Sequence, residues 1–182
     1  WPAAPSALAE WRTFMANLGA QMFLGNLVHT STVLLRRECQ QVVGLFDTAL
    51  VRSGEDYDFH YRVCRLGPVV YLDVSSIRYR VGAADQLTSL QFDIFMARNT
   101  LQTISKALAE AGGKIALPHH VIHRRMSAVY FWVGRAAINQ HNLKGACYAF
   151  SQSLVWWLFN WQELVFFVVS LLPFPVFKKP RR

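Results

Sequence analysis

The sequence is short of acidic residues, and it contains no apolar run long enough to cross a membrane. Eleven Asp and Glu residues stand against 19 Lys and Arg, which gives a net charge of +8. The most apolar stretch, residues 164–177, has 14 residues and is interrupted by Pro173 and Pro175. A spanning helix needs about 20 apolar residues. The stretch is therefore predicted to lie in a membrane interface rather than to cross it.

Cysteine is also scarce. Cys39, Cys64 and Cys147 are odd in number and widely spaced. This spacing excludes a disulfide framework and a zinc site of the CxxC kind, and it favours a reducing, cytosolic setting.

The first residues, "WPAAPSALAEWRTF", contain no initiator Met and no signal-peptide pattern, so we expect the chain to be part of a longer protein. A composition of 53% hydrophobic and 16% charged residues argues against disorder. It favours deep burial or a membrane-facing surface.

The positive charge has a position that favours lipid over nucleic acid. Four basic residues follow the apolar stretch at the C-terminus: Lys178, Lys179, Arg181 and Arg182. This order is typical of a membrane-surface anchor. The other basic residues look scattered, so no nucleic-acid partner is expected. We predict a cytoplasmic protein that is peripheral at the inner face of the membrane.

Hydrophobic spacing and turn residues predict the following elements. They are a helix within 6–25, a strand at 27–35 buried on both faces, a helical turn ended by Gly44, a helix after Ser53, two short extended pieces from residue 69, and a helix over 89–112. Two further helices between 127 and 157, joined by "HNL" and rich in small residues, resemble one tetratricopeptide-like hairpin.

Two aromatic or histidine clusters each allow two interpretations. His119, His120 and His123 have a spacing that can bind zinc, but without an acidic or thiol ligand beside them a solvated helix start is favoured. The second cluster is either a membrane-interface belt, which we favour, or a sugar-stacking platform. Its members are Trp156, Trp157, Phe159 and Trp161.

The segment "SGEDYDFHYRVCRLG" has a structural interpretation. Ser53 can cap a helix with Asp56 three residues later, and acids in the first turn oppose the helix dipole. Phe59, Val63 and Leu66 then form a buried stripe. Asp58 and Arg62 are spaced as an i,i+4 ion pair on its flank.

Five segments in order give a second interpretation: "LLRR", "VGLFD", "GEDYDFHYRVCRLG", "VVYLD" and "YRVGAADQLTS". Their order and spacing over about residues 26–90 resemble the second half of family 2 glycosyltransferases, which have the GT-A fold. The resemblance implies an α/β class, with residues 1–88 as the acceptor half of a GT-A domain. A helical extension at 89–160 and an amphipathic membrane-surface segment at 161–182 would follow.

The resemblance also implies roles for particular residues. Asp56 would be the general base that deprotonates the acceptor hydroxyl, and Glu55 would orient the acceptor or the base. Substrate-binding roles fall on His60 and, for the donor diphosphate, on Arg80 and Gln86; alternatively Arg80 pairs with Asp73 or Asp85. The family's divalent cation, Mg²⁺ or Mn²⁺, is held by a DxD motif in the nucleotide-binding half, which lies outside these residues. Relatives often carry a metal-binding histidine where this sequence has Gly82.

The implied reaction is transfer of a sugar, with inversion, from a nucleotide-diphosphate donor to a hydroxyl acceptor that is a saccharide or is linked to lipid. Cell-surface polysaccharide or glycolipid synthesis is the expected setting. Without the nucleotide-binding half, these 182 residues are predicted to be inactive alone. The alternative is a non-catalytic helical interaction or membrane-recruitment module that carries a degenerate transferase half.

Overall fold

The computed structural model describes residues 13–80, 92–112 and 115–157, together with Val165 and Val168. The described residues form two compact units, one up to Leu117 and one from Pro118. The first unit contains strands β1 (Thr13–Ala16) and β2 (Val69–Leu72) and helices α1 (Gly19–Leu24), α2 (Arg37–Val43), α3 (Glu55–Cys64) and α4 (Asp93–Glu110). The second contains helices α5 (His119–Asn139) and α6 (Leu143–Trp156).

The predicted α/β class is wrong. Among the described residues the only sheet has two strands: β1 pairs antiparallel with β2, with Thr13 opposite Leu72 and Ala16 opposite Val69. An α/β domain of the GT-A kind needs a larger, mostly parallel sheet covered by helices. Helices instead account for most of the described residues, so this part of the chain belongs to a helical class.

The predicted buried strand at 27–35 is wrong as well. A 3₁₀ turn at Thr30–Thr32 occupies its middle, and Leu34 is 100% exposed. The Thr32 hydroxyl donates to the carbonyl of His29 at 2.7 Å, which offers the backbone a local partner in place of a strand. A strand buried on both faces needs strand neighbours, and the described residues provide none here.

The N-terminal helix prediction fails in part. Residues 13–16 form β1, and only the short α1 follows, while residues 1–12 lie outside the described ranges. Met22 and Phe23 of α1 are fully buried and begin the core of the first unit. Of the two extended pieces predicted after residue 69, β2 is present, and the described residues up to 80 contain no second strand.

Two helices agree with their sequence signals. Helix α2 ends at Gly44, whose φ of 82° places it in the left-handed region that glycine adopts without strain. Helix α4 lies within the predicted range of 89–112, and Ile94, Ala97 and Ile104 bury its apolar face.

Helices α5 and α6 of the second unit pack closely against each other. A Cβ added at Gly134 would lie 2.5 Å from Cε1 of Phe150, so glycine is what allows this approach. The buried hydroxyls of Ser127 and Ser153 lie 3.0 Å apart and bond across the same interface. Asn142 caps α6 by accepting from the amide of Gly145 at 3.0 Å. The two helices predicted between 127 and 157 are confirmed.

The predicted domain limits of 88 and 160 stay predictions. By packing, α4 belongs to the first unit. No helix in the described part of the chain is long and apolar enough to cross a membrane. The predicted membrane-surface segment, 161–182, lies outside the described residues except for Val165 and Val168, which are exposed.

Candidate functional site

Helix α3 begins at a turn that a residue distant in sequence holds by hydrogen bonds. Gly54 has a φ of 87° and stands at the N-cap, with no side chain capping the helix. The Asn99 amide of α4 donates to the carbonyls of Val51, at 3.1 Å, and Ser53, at 2.5 Å. The predicted Ser53 cap is wrong, because the Ser53 hydroxyl is buried without a hydrogen-bond partner among the described residues. Helix α4 therefore sets where α3 begins.

Asp58 and Arg62 connect α3 to the end of α2. The predicted i,i+4 pair is present, with Arg62 Nε 2.8 Å from Asp58 Oδ2, but Asp58 is only 3% exposed rather than on a flank. The Arg62 guanidinium also donates to the carbonyl of Val43, the last residue of α2, and to that of Leu45, two residues later. The carboxylate of Asp58 thus serves in a structural ion pair.

The predicted apolar stripe of α3 is only partly correct. Phe59 is buried and stacks on Phe46 with ring centroids 4.4 Å apart, whereas Leu66 is 48% exposed and Val63 is half-buried. On another side of α3 the Tyr57 hydroxyl donates to the carbonyl of Met22 at 2.6 Å. Tyr57 therefore ties the first turn of α3 to α1.

Asp56 lies in the first turn of α3 and is half-buried. Its Oδ1 accepts from the amide of Tyr57 at 2.7 Å, and its Oδ2 accepts from the hydroxyl of Thr30 at 3.3 Å. The same hydroxyl lies 3.3 Å from Nε2 of His60. Both contacts of Thr30 are long for hydroxyl hydrogen bonds. A carboxylate, a hydroxyl and an imidazole therefore form a loose chain between the 3₁₀ turn and α3.

The environment of His60 favours its neutral form. The residue is 3% exposed, and burial lowers its pKa, while the nearby charge of Asp56 acts in the opposite direction. The Thr30 hydroxyl has one proton. A hydrogen bond to Asp56 uses that proton, and a simultaneous bond to His60 then requires that Nε2 be the donor. The structure places His60 inside the fold, where it meets Asp56 through Thr30.

Glu55 precedes Asp56 and has a different environment. Its Oε2 is buried and has no hydrogen-bond partner in the part of the chain that the structure describes. Leaving a buried carboxylate oxygen without a donor costs free energy. Because it is buried, this oxygen is closed to solvent in the structure.

The segment that precedes Arg80 packs beside the turn that contains Thr30. The ring of Tyr79 packs edge-on against His29, with centroids 5.2 Å apart, and His29 directly precedes Thr30. Arg80 is exposed and forms no ion pair with a described residue such as Asp73. Gln86, Gly82 and Asp85 lie outside the described residues.

The described residues do not offer a site for the implied divalent cation. None of their His, Cys, Asp and Glu side chains cluster in threes as a metal site requires. One Asp-x-Asp sequence is present, Asp56-Tyr57-Asp58, but its two carboxylates diverge: Asp58 pairs with Arg62 and Asp56 contacts Thr30. His119, His120 and His123 are exposed in the first two turns of α5.

Comparison with known proteins gives no relative for this chain. No family model, no curated protein and no solved structure matches it.

Two residues of this site carry no prediction from the sequence. Thr30 falls in the segment predicted as a strand, and only its position beside His29 in a Thr- and Ser-rich run hints at a turn. Asn99 lies in the middle of a helix and is 9% exposed. A polar residue on the apolar face of a helix indicates a specific partner, but the sequence does not name that partner.

Proposed function

We propose that this chain contributes the acceptor side of a glycosyl transfer site, with Asp56 as the general base. The observation that carries the proposal is the contrast between Asp56 and Asp58 in one helical turn. Asp58 is buried on Arg62, whereas Asp56 is half-buried and accepts only an amide and a loosely bound hydroxyl from the described residues. Asp56 is therefore the carboxylate that a substrate hydroxyl can reach.

The chemistry needs an ionised carboxylate within hydrogen-bond reach of the acceptor oxygen. Asp56 Oδ2 takes the acceptor proton as that oxygen attacks the anomeric carbon, and the nucleotide diphosphate leaves with the bonding electrons. The first turn of a helix favours the charged form of a carboxylate. Thr30, whose hydroxyl also contacts His60, orients the oxygen of Asp56 that receives the proton.

Neighbouring residues have supporting roles in this proposal. Glu55, directly before Asp56, orients the acceptor or the base. Arg80 follows Tyr79, which packs on His29, so its guanidinium is available to the donor diphosphate near the base. The proposed role of Asp56 does not depend on a metal ligand from the described residues.

The proposed location is the membrane surface on the cytoplasmic side. The support is the sequence after Trp157, in which an apolar stretch too short to span is followed by four basic residues. A lipid-linked acceptor would be met there. The donor sugar belongs to the nucleotide-diphosphate class.

Asp56→Asn tests the catalytic role in the full-length protein. Asparagine is nearly isosteric and is tolerated at a helix start, so the melting temperature should stay unchanged. Transfer from radiolabelled nucleotide sugars to membrane-extracted acceptors should fall by about 10²- to 10⁴-fold, which is typical of a lost general base. Asp93→Asn, in the first turn of α4, is the matched control and should retain activity.

Wild-type turnover in Asp56→Asn would remove Asp56 from the mechanism. Absence of sugar transfer in the wild-type protein would instead favour the second candidate, a helical interaction module without catalysis. One observation favours this candidate: the described residues are mainly helical, and α5 and α6 form a closely packed pair.

A further inference from the structure

The two units differ sharply in charge. Residues 118–182 contain eight of the 19 lysines and arginines but only one acidic residue, Glu163. Residues 1–117 contain the other 11 basic residues and 10 acidic ones, so they are nearly neutral. Within 118–157, which holds α5 and α6, there is no aspartate or glutamate at all. The difference comes from the acidic residues, and the second unit carries almost all of the net charge.

The pairing of α5 with α6 brings basic and aromatic side chains to one end of the helix pair. The rings of His123 and Trp156 pack edge-on with centroids 5.3 Å apart, and one turn further along Ser127 meets Ser153. The start of α5 thus lies beside the end of α6. We call this the open end, and it consists of His119, His120, His123, Arg124 and Trp156.

The open end is accessible to solvent. The described residues of the second unit contain no carboxylate side chain. Its three histidines and Arg124 are exposed, and Trp156 is half-buried. The first turn of α5 has no acidic residue, and Pro118 at its N-cap offers no side-chain cap. The opposed dipoles of α5 and α6 largely cancel at this end, so the attraction for anions comes from the side chains.

The chemistry of the open end fits a lipid surface better than a nucleic acid. An indole at the rim of a basic patch is typical of the membrane interface, where its apolar body enters the lipid and its N–H stays wet. The chain continues from Trp157 into the sequence that holds the apolar stretch 164–177 and the basic residues 178–182. The open end is thus the folded part nearest in sequence to a lipid-binding pattern.

We propose that the open end docks directly on anionic lipid headgroups, with Arg124 as a contact residue and Trp156 at the interface. This inference rests on the membrane association in the proposed function and deepens it, since it places contact on folded helices as well as on the C-terminal residues. It does not depend on the catalytic role of Asp56.

A matched pair of charge reversals tests the orientation. Arg124 and Arg135 are both exposed on α5. They are eleven residues apart, which is roughly three turns and about 16 Å along one face of the helix. Arg124→Glu and Arg135→Glu change the net charge equally, but only Arg124 belongs to the open end. The full chain is sedimented with phosphatidylcholine vesicles that contain 30% phosphatidylserine, at low and high salt.

We expect Arg124→Glu to weaken vesicle partitioning by about tenfold or more, because each basic residue near an anionic surface contributes roughly a fivefold factor. Arg135→Glu should change it by less than about threefold. Binding should fall at high salt and on pure phosphatidylcholine. Arg124→Gln and Arg135→Gln, with half the charge change, repeat the comparison if either reversal lowers the melting temperature.

Three results would overturn the inference. Equal losses in the two reversals would mean general charge attraction or a helix lying flat. A full effect of deleting residues 162–182 with none from Arg124→Glu would leave the C-terminal residues as the whole anchor, and the proposed membrane association would survive. Loss of binding to a labelled DNA duplex in Arg124→Glu, with no vesicle binding in the wild type, would identify the partner as nucleic acid.

Discussion

The two units bury different kinds of side chain. In the first unit the described interior holds six polar or charged residues: Ser53, Asp58, His60, Asn99, Thr100 and Thr103. In the second unit the described interior holds two, Ser127 and Ser153, which bond to each other. Buried polar groups cost free energy unless they have partners, and they specify geometry when they do. The first unit is thus built to position polar groups, and the second is built to pack two helices.

The surfaces of the two units also differ, and there the difference is in charge. The first unit exposes several large apolar side chains, among them Leu34, Val42 and Leu45, and its charges nearly balance. The described part of the second unit has no acidic residue. Chemistry that needs a precisely held carboxylate therefore belongs to the first unit, and long-range attraction for anions belongs to the second.

The largest expected effect breaks the polar interior of the first unit. Arg62→Leu removes the partner of Asp58 and leaves a carboxylate that is 3% exposed without its counter-ion. We expect a loss of about 3–5 kcal/mol in the free energy of unfolding, as for other broken buried pairs. Urea unfolding with hydrogen exchange of the α3 amides measures the loss and locates it.

Arg65→Leu is the control in the same region. Arg65 lies 2.8 Å from Glu110, but their side chains are 36% and 44% exposed. Removal of such a surface pair should cost less than about 1 kcal/mol. Similar losses in the two variants would mean that Asp58 does not need Arg62, and the contrast between buried and exposed pairs in this unit would fail.

The next effect tests the packing of the second unit. Gly134→Val places a branched side chain where even a Cβ would lie 2.5 Å from the ring of Phe150. Overpacking of this kind costs about 1–3 kcal/mol. Ala128→Val, at an exposed position of the same helix, should cost only the helix propensity of valine, under about 0.7 kcal/mol. Equal thermal stability of the two variants would show that α5 and α6 do not approach as closely as described.

The sequence was most informative where the deciding signals are local. Gly44 ends α2, the apolar spacing over 89–112 predicts α4, and the spacing of Asp58 and Arg62 predicts their ion pair. Each signal lies within one or two helical turns, so periodicity and glycine are sufficient to predict it.

Predictions failed where distant residues decide. Apolar and β-branched residues at 27–35 favour a strand, but a strand needs neighbours, and the described residues form a 3₁₀ turn there instead. Ser53 has the right type and position for a cap, yet Asn99, which is 46 residues away, holds its carbonyl and sets the turn at Gly54. The candidate base Asp56 came from a resemblance between segments, whereas its contact with Thr30 spans 26 residues and needed the fold.

The smallest expected effect is a change in how stability depends on pH. Burial lowers the pKa of His60 from its usual 6.5, so the unfolded chain binds this proton more readily than the folded protein does. Unfolding free energy should therefore fall as the pH drops below 6.5, because protonation then favours the unfolded state. His60→Gln should reduce this slope, while His120→Gln, at an exposed position of α5, serves as the control.

The nearby charge of Asp56 raises the pKa of His60, so Asp56→Asn should lower that pKa further in an NMR titration of the imidazole. An unchanged His60 titration in Asp56→Asn would separate the two side chains and remove the link through Thr30.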